Sequence, residues 1–343
     1  MRSSSDPCSR QRETDSPQNQ KGKCNPCCGK KKGRLFVIGT GPGSLDYISK
    51  RAIDLLKISD SVAGYTTYID LIKEIIEDKK IISTGMMKEV DRVESAIDEA
   101  LNGNVCSLVS GGDAGIYAMA GLVFELCEKR GVNLVRHSSA SAAIKDKIPA
   151  AIIDKVPAPI IDTVEPVANL NSDSESVNNA DFEGGETPLQ KGDHLADSIE
   201  IEVVPGIPAL AAGASLIGAP LTHDFAVISL SDLLTPWEKI EKRIESAAAS
   251  DFVIAIYNPR SKKRDWQLAK ARELILKHRA PETPVGIVTS AMRENQKVII
   301  TTLKEMDCTE VGMQTILLVG NDSSVQFLDF IYTPRGYSKK YNL

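Results

Sequence analysis

The chain has 343 residues, 42% of them hydrophobic and 25% charged, which excludes a low-complexity or fibrous chain and predicts about two globular domains with appended segments. No run of 18 apolar residues occurs and the amino terminus has no apolar core, so neither a membrane span nor a signal peptide is expected and the expected location is the cytoplasm. The formal net charge of −5 is uneven, with a local +5 over residues 1–33 and −8 over 138–200, and nothing in it makes the basic face that a nucleic-acid partner needs.

Residues 1–33 read as a disordered basic tail, rich in Ser, Gln, Asn and Lys and nearly free of apolar side chains. Four of the seven cysteines lie there, Cys8, Cys24, Cys27 and Cys28. A structural zinc or iron–sulfur site wants four ligands at organised spacing with folded chain around them, so the segment reads as a redox-exposed tail and no metal site is expected. Cys106, Cys127 and Cys308 sit in apolar periodic stretches and read as small buried hydrophobes.

Folded chain is expected from residue 34. A short apolar strand at 35–38 runs into Gly39-Thr40-Gly41-Pro42-Gly43-Ser44 and a helix over 49–57. The turn departs from a dinucleotide fingerprint, because Ser44 stands where the third glycine belongs and Pro42 lacks an amide donor. Asp60 is a weak ribose-binding acid, so a nicotinamide oxidoreductase is a low-ranked alternative. A strand at 61–64 follows, then an amphipathic helix over 65–78 with Ile69, Ile72, Ile75 and Ile76 on one side, a strand at 81–82 and a helix over 90–101. The buried strand 105–109 ends in Ser110-Gly111-Gly112-Asp113-Ala114-Gly115 before a helix over 116–129. Two successive strand-to-glycine-loop-to-helix units put both loops on one sheet edge, where Asp113 caps the helix, meets a ligand, or does both.

After a strand at 132–136, residues 137–198 turn acidic and lose any sustained period, with prolines at 149, 157, 159 and 166. They read as a largely disordered insertion, partly ordered over 144–161. A strand at 201–204 and a Pro-Gly turn then lead to a small-residue helix over 209–217. The stretch PLTHDFAVISLSDLLTPW places His223 and Asp224 side by side before an apolar strand at 225–230. Ser229, Ser231 and Asp232 stand at the strand's end, the edge where open α/β sheets bind ligands, although Ser231 and Asp232 are also good helix caps. A helix over 237–247, a strand at 252–256, the loop Tyr257-Asn258-Pro259-Arg260-Ser261 and a charged helix come next. Strands at 285–289, 296–301, 315–319 and 327–332 close the chain, the last three antiparallel. The expected architecture is α/β, with domains at 34–136 and 199–337 and a tail at 338–343.

Taken together, GTGPGS, SGGDAGIYAMAG, VVPGIPAL, GAPLTHDFAVISLSDLLTPWE and IYNPRSKKR resemble the tetrapyrrole methylases of cobalamin biosynthesis, over about residues 34–136 and 199–337. The runs HDFAVISLSDLLTPW and YNPRSKKR are similar to the branch that methylates ring carbon 17 of precorrin-3B or cobalt-factor III and contracts the ring. The resemblance implies two α/β domains with an S-adenosylmethionine cleft between them, in a homodimer. It implies cofactor contacts at Gly111, Gly112, Asp113, Ile116, Pro208, Ala209, Asn258 and Ala291, and a tetrapyrrole facing Gly39, Gly41, Pro42, Gly43 and Ser231. A substrate with many carboxylates wants cations, and Arg260, Lys262 and Arg264, with Lys263 and Arg335, are candidates; a solvated helix face is the other reading of that run. Ring contraction wants an acid/base group, for which His223 is the candidate, oriented by Asp224 or Asp232, against a structural histidine at a strand end. A tetrapyrrole methylase acting at another ring position, and a scaffold role for the tail and insertion, remain alternatives.

Overall fold

The structure, a computed structural model, describes residues 32–137, 198–261 and 263–341. Strands β1 (Arg34–Gly39), β2 (Ser61–Tyr65), β3 (Lys80–Thr84), β4 (Val105–Ser110), β5 (Asn133–Arg136) and β6 (Ser198–Val204) form an all-parallel sheet in the order β3-β2-β4-β1-β6-β5. β4 is buried throughout and β1 nearly so, because parallel strands are covered on both faces and read as continuous apolar runs. Successive side chains alternate between two cores. Leu35 and Val37 pack with α3 (Glu89–Leu101) and α4 (Ala120–Lys129), whereas Phe36 and Ile38 pack with Leu55 and Leu56 of α1 (Lys50–Ile58). Helix α1 starts where Ser49 accepts a hydrogen bond from the Ala52 amide at 3.1 Å, a serine cap.

The second sheet is mixed. It runs β11 (Lys297–Thr302), β10 (Pro284–Thr289), β12 (Thr315–Val319), β9 (Val253–Tyr257), β8 (Phe225–Ser229), with only β8 and β9 parallel. Helix α5 (Ala209–Ile217) covers one face and α6 (Trp237–Ala249) with α7 (Gln267–Leu276) covers the other. A small sheet joins β7 (Gly218–Ala219) to the hairpin β13 (Val325–Phe327) and β14 (Phe330–Tyr332). Both main sheets lie in one compact unit.

Several sequence expectations change here. The helix expected over 65–78 is α2 (Thr66–Leu71) followed by a 3-10 turn at Lys73–Ile75. Ile72, at φ −118° and ψ 10°, leaves the helical region while Ile69, Ile72 and Ile76 stay buried, so core burial outweighs the α ladder. The helix expected from 116 begins at Ala120, since Tyr117 takes φ +51° and cannot sit in a helix. The strand expected at 327–332 is a hairpin, and residues 338–341 of the expected tail belong to a short helix, α8 (Tyr337–Tyr341). β6 pairs with β1 in the first sheet, so that sheet takes its fifth-ranked strand from beyond the insertion, and the boundary drawn at 199 moves past Val204. The tail with Cys8, Cys24, Cys27 and Cys28, and nearly all of the insertion, lie outside the described residues. Cys106 and Cys127 are buried and Cys308 half-buried; burial pushes the Cys106 thiol up to about 12.

At the far end of the second sheet, the fully buried Arg279 side chain donates to Asp251, to the Phe252 carbonyl at 3.0 Å, and lies 3.6 Å from Asp322. Asp251 and Asp322 are solvent-exposed and can return to water, so the loss is mainly that of the charged hydrogen bonds, and Arg279→Met is expected to destabilise the fold by about 2 kcal/mol. Urea unfolding would check it; a loss under about 0.5 kcal/mol, the size of an ordinary surface change, would contradict it.

Candidate active site

The carboxyl ends of β1 and β4 face the ends of β9 and β10 across a cleft of about 320 Å³. On the first wall the two glycine loops lock together: the Gly41 amide donates to the Gly112 carbonyl at 3.1 Å and the Gly112 amide donates to the Gly41 carbonyl at 2.7 Å. Gly112 holds φ +68°, a conformation that glycine takes without steric cost. Asp113 is not a helix cap. Its Oδ1 accepts from the Gly115 amide at 2.8 Å and its Oδ2 from the Gly206 amide at 3.0 Å, which ties the loop after β4 to the chain leaving β6. That chain continues through Pro208 and Ala209, which line the cleft, into α5.

The second wall hangs on aromatic and amide groups. Tyr257 Oη accepts from the Leu210 amide at 2.8 Å, and its ring lies 5.2 Å from that of Tyr117, whose own Oη donates to the Val227 carbonyl at 3.1 Å. Burial pushes both phenols up, so both keep their protons at neutral pH. Asn258 Nδ2 donates to Ser229 Oγ at 2.9 Å, and the Asn258 carbonyl accepts from Arg264 Nη2 at 3.2 Å. Ser290 Oγ donates to Gln314 Oε1 at 2.9 Å. Tyr117, Asn258 and Ser290, at φ near +51°, line the cleft; left-handed non-glycine residues concentrate where surrounding contacts hold a functional geometry.

All eight residues expected at the cofactor line this cleft: Gly111, Gly112, Asp113, Ile116, Pro208, Ala209, Asn258 and Ala291. Of the GTGPGS loop only Pro42 opens on it, while Gly39 and Gly41 are buried in loop packing and Gly43 lies against Arg293. Ser231 and Asp232 stand at the expected sheet edge but not in the lining. The Ser231 amide donates to Ser229 Oγ at 3.2 Å, and Asp232 Oδ2 accepts from Gln267 Nε2 at 2.9 Å.

The expected acid/base pair is not brought here. His223 and Asp224 precede β8, at the amino-terminal end of a five-residue strand whose other end carries Ser229, about 16 Å away. His223 is exposed, and its Nδ1 accepts from the Asp224 amide at 2.9 Å. The expected cations fail for other reasons. Arg264 is only 5% exposed, held behind the wall by Asn258 and by Met313 Sδ at 3.4 Å. Arg260 donates to the Thr309 carbonyl and Arg335 to the Thr222 carbonyl at 3.3 Å; neither they nor the exposed Lys263 line the cleft, and Lys262 lies outside the described residues. Asp60, weighed as a ribose acid, accepts from the Val105 amide at 2.8 Å, at the opposite end of β4. Sequence reasoning missed Tyr65, Tyr68, Tyr117, Met86, Met313 and Arg293, all in the lining; only Tyr117 stood inside a stretch already singled out.

The profile of the Tetrapyrrole (Corrin/Porphyrin) Methylases matches residues 34–145 and 191–307. The chain belongs to this family. As a tetrapyrrole methylase it is 40% identical over 312 residues to the cobalt-factor III methyltransferase of Priestia megaterium, covering 91% of this chain and 46% of that protein, so it spans about half of that relative's length. It is 38% identical to the probable cobalt-factor III C(17)-methyltransferase of Salmonella typhimurium, covering 89% of this chain and 99% of that one. The crystal structure of the methyltransferase CobJ superposes with a TM-score of 0.66 at 27% identity, covering 88% of this chain and all of that one. Among the described residues, no helix of this methylase is long and apolar enough to cross a membrane, and no group of three or more His, Cys, Asp or Glu is placed to hold a metal ion.

Proposed function

We propose that this cytoplasmic tetrapyrrole methylase transfers a methyl group from S-adenosylmethionine to ring carbon 17 of cobalt-factor III or its metal-free counterpart precorrin-3B, with contraction of the ring, and acts as a homodimer. The observation that carries the reading is the convergence of the eight expected cofactor residues on one cleft, in a chain whose relatives are named for that reaction. The cleft fits the cofactor in size, and its walls supply both kinds of contact that such a molecule needs. Gly111 and Gly112 offer bare backbone; a Cβ on Gly111 would come within 2.5 Å of the Tyr68 ring. Ile116, Pro208, Ala209 and Ala291 give apolar surface, and Asn258 gives an amide. The buried Ser110 Oγ, at the root of the glycine loop, has no partner among the described residues.

When bound, the cofactor supplies an electrophilic methyl on its sulfonium. What the protein adds is alignment and a dry, fixed setting, which is worth several kcal/mol when the reacting atoms are held in line. The one carboxylate in the lining among the described residues, Asp113, has both oxygens engaged by amides, so it holds the loop. Of the phenols in the lining, that of Tyr117 is spent on the Val227 carbonyl, so those of Tyr65, Tyr68 and Tyr257 are the ones with an O–H left to hydrogen-bond a ligand. Anaerobic incubation of the purified protein with S-adenosylmethionine and each corrinoid, read by mass and absorption spectrum, tests the reading. A gain of one methyl with the spectral change of ring contraction is expected; cofactor binding with no turnover of either corrinoid would overturn it.

A further inference from the structure

Those of the expected cations that the structure describes are buried, committed elsewhere or outside the lining, which leaves one cation in the cleft among the described residues, Arg293. It follows β10, on a turn fixed by two hydrogen bonds: the Arg293 amide donates to the Ser290 carbonyl at 3.1 Å, and the Met292 amide donates to Gln296 Oε1 at 2.8 Å. Met292 takes φ +57° within that turn. The Arg293 Nε donates to the Pro42 carbonyl at 2.7 Å, so the side chain reaches from the second wall to the GTGPGS loop of the first. That uses one of five donors. Its Nη1 and Nη2 have no hydrogen bond or ion pair among the described residues, although the side chain is half-buried. A guanidinium drawn partly out of water normally meets a carboxylate, and the carboxylate in the lining, Asp113, is already spent on two amides.

Gly43 shows that the placement is built. Its φ is +152°, and a Cβ there would lie 2.5 Å from Arg293 Nε and 2.6 Å from Arg293 Cγ. The glycine is the space in which the arginine lies. We propose that Arg293 is the carboxylate-binding residue of the cleft, with Nη1 and Nη2 free to take a ligand carboxylate in a bidentate pair, and that Gly43 is glycine to make room for it. The inference rests on the function proposed above. The carboxylate comes either from a side chain of the macrocycle or from the amino-acid end of the cofactor, and the experiment separates the two.

Wild type, Arg293→Gln, Arg293→Lys, Gly43→Ala and the Gly43→Ala/Arg293→Gln pair are compared by calorimetric titration with S-adenosylhomocysteine, and with 5′-methylthioadenosine, which lacks the carboxylate. Cobalt-factor III binding is followed anaerobically by absorption. Loss of a bidentate charged pair is expected to weaken one ligand about 30-fold, with partial recovery in the lysine variant. Weaker cobalt-factor III binding, with both nucleosides unaffected, assigns the carboxylate to the macrocycle. Weaker S-adenosylhomocysteine binding, with methylthioadenosine unaffected, assigns it to the cofactor. In either case Gly43→Ala moves the same quantity in the same direction and adds little to Arg293→Gln. An Arg293→Gln protein with the wild-type melting curve that binds S-adenosylhomocysteine normally, and shows no loss against cobalt-factor III because wild type binds it equally well or not at all, overturns the assignment. The nucleoside titrations need no turnover, so failure of the proposed reaction is seen separately, as wild type that binds cofactor but transforms neither corrinoid.

Discussion

Asp113→Ala is expected to weaken S-adenosylhomocysteine binding by about a hundredfold while the protein remains folded. The carboxylate accepts from the amides of Gly115 and Gly206, and so joins the glycine loop after β4 to the segment that carries Pro208 and Ala209. Hydrogen bonds to a charged acceptor are worth about 1.5–3 kcal/mol each, and two at the lower end come to about 3 kcal/mol, or two decades of affinity. The loss arises because the two halves of the first wall of the cleft are then free to separate. Asp113→Asn retains one carbonyl oxygen but sets an NH₂ donor against the other amide, so it should fall between the two. Calorimetric titration measures both variants, with the melting temperature as the control. If Asp113→Ala binds like wild type, the segment carrying Pro208 and Ala209 keeps its place without the carboxylate, which then has no positioning role.

The sequence carried the first sheet and the cleft wall to different depths. Strands β1 and β4 were legible because a parallel strand covered on both faces is a near-continuous apolar run, and the glycine loops that follow sit on the same edge by necessity. The place of β6 was not legible. Its partner β1 lies more than a hundred residues earlier, and nothing local records which sheet a strand joins. The break at Ile72 and the late start of α4 have the same character, since core burial and a left-handed Tyr117 override helical periodicity. In the site, residues that follow strand ends were found because topology puts them in the cleft. His223 failed on the same rule: it precedes its strand, and adjacency to Ser229 in sequence is a strand length in space. The run Arg260 to Arg264 shows what charge alone hides, because the Ser261–Arg264 bridge turns Arg264 inward behind Asn258. Arg293 had no motif around it. Only the contact with Gly43, 250 residues away in sequence, gives it meaning.

Asn258 tests whether the backbone conformation of the second wall matters by itself. At φ +51° asparagine is tolerated because its short polar side chain can hydrogen-bond locally, whereas alanine there costs about 1–2 kcal/mol. The side chain adds its bond to Ser229 Oγ, worth about 1 kcal/mol. Asn258→Ala removes both, and kcat/KM for the cofactor is expected to fall about 30-fold, if the wall loses its shape by the full amount. Asn258→Gly relieves the backbone and keeps only the loss of the side-chain bond, so it should fall about fivefold. Ser229→Ala removes the same bond from the other end and also the one from the Ser231 amide, so it should lose at least as much as the glycine variant. That ranking is peculiar to a strained residue: at an ordinary position glycine is the worse substitution, through the entropy of the unfolded chain. Equal losses in the alanine and glycine variants would mean that the left-handed turn imposes no cost. The Arg264 guanidinium on the Asn258 carbonyl would then be packing the loop and not holding its conformation against strain.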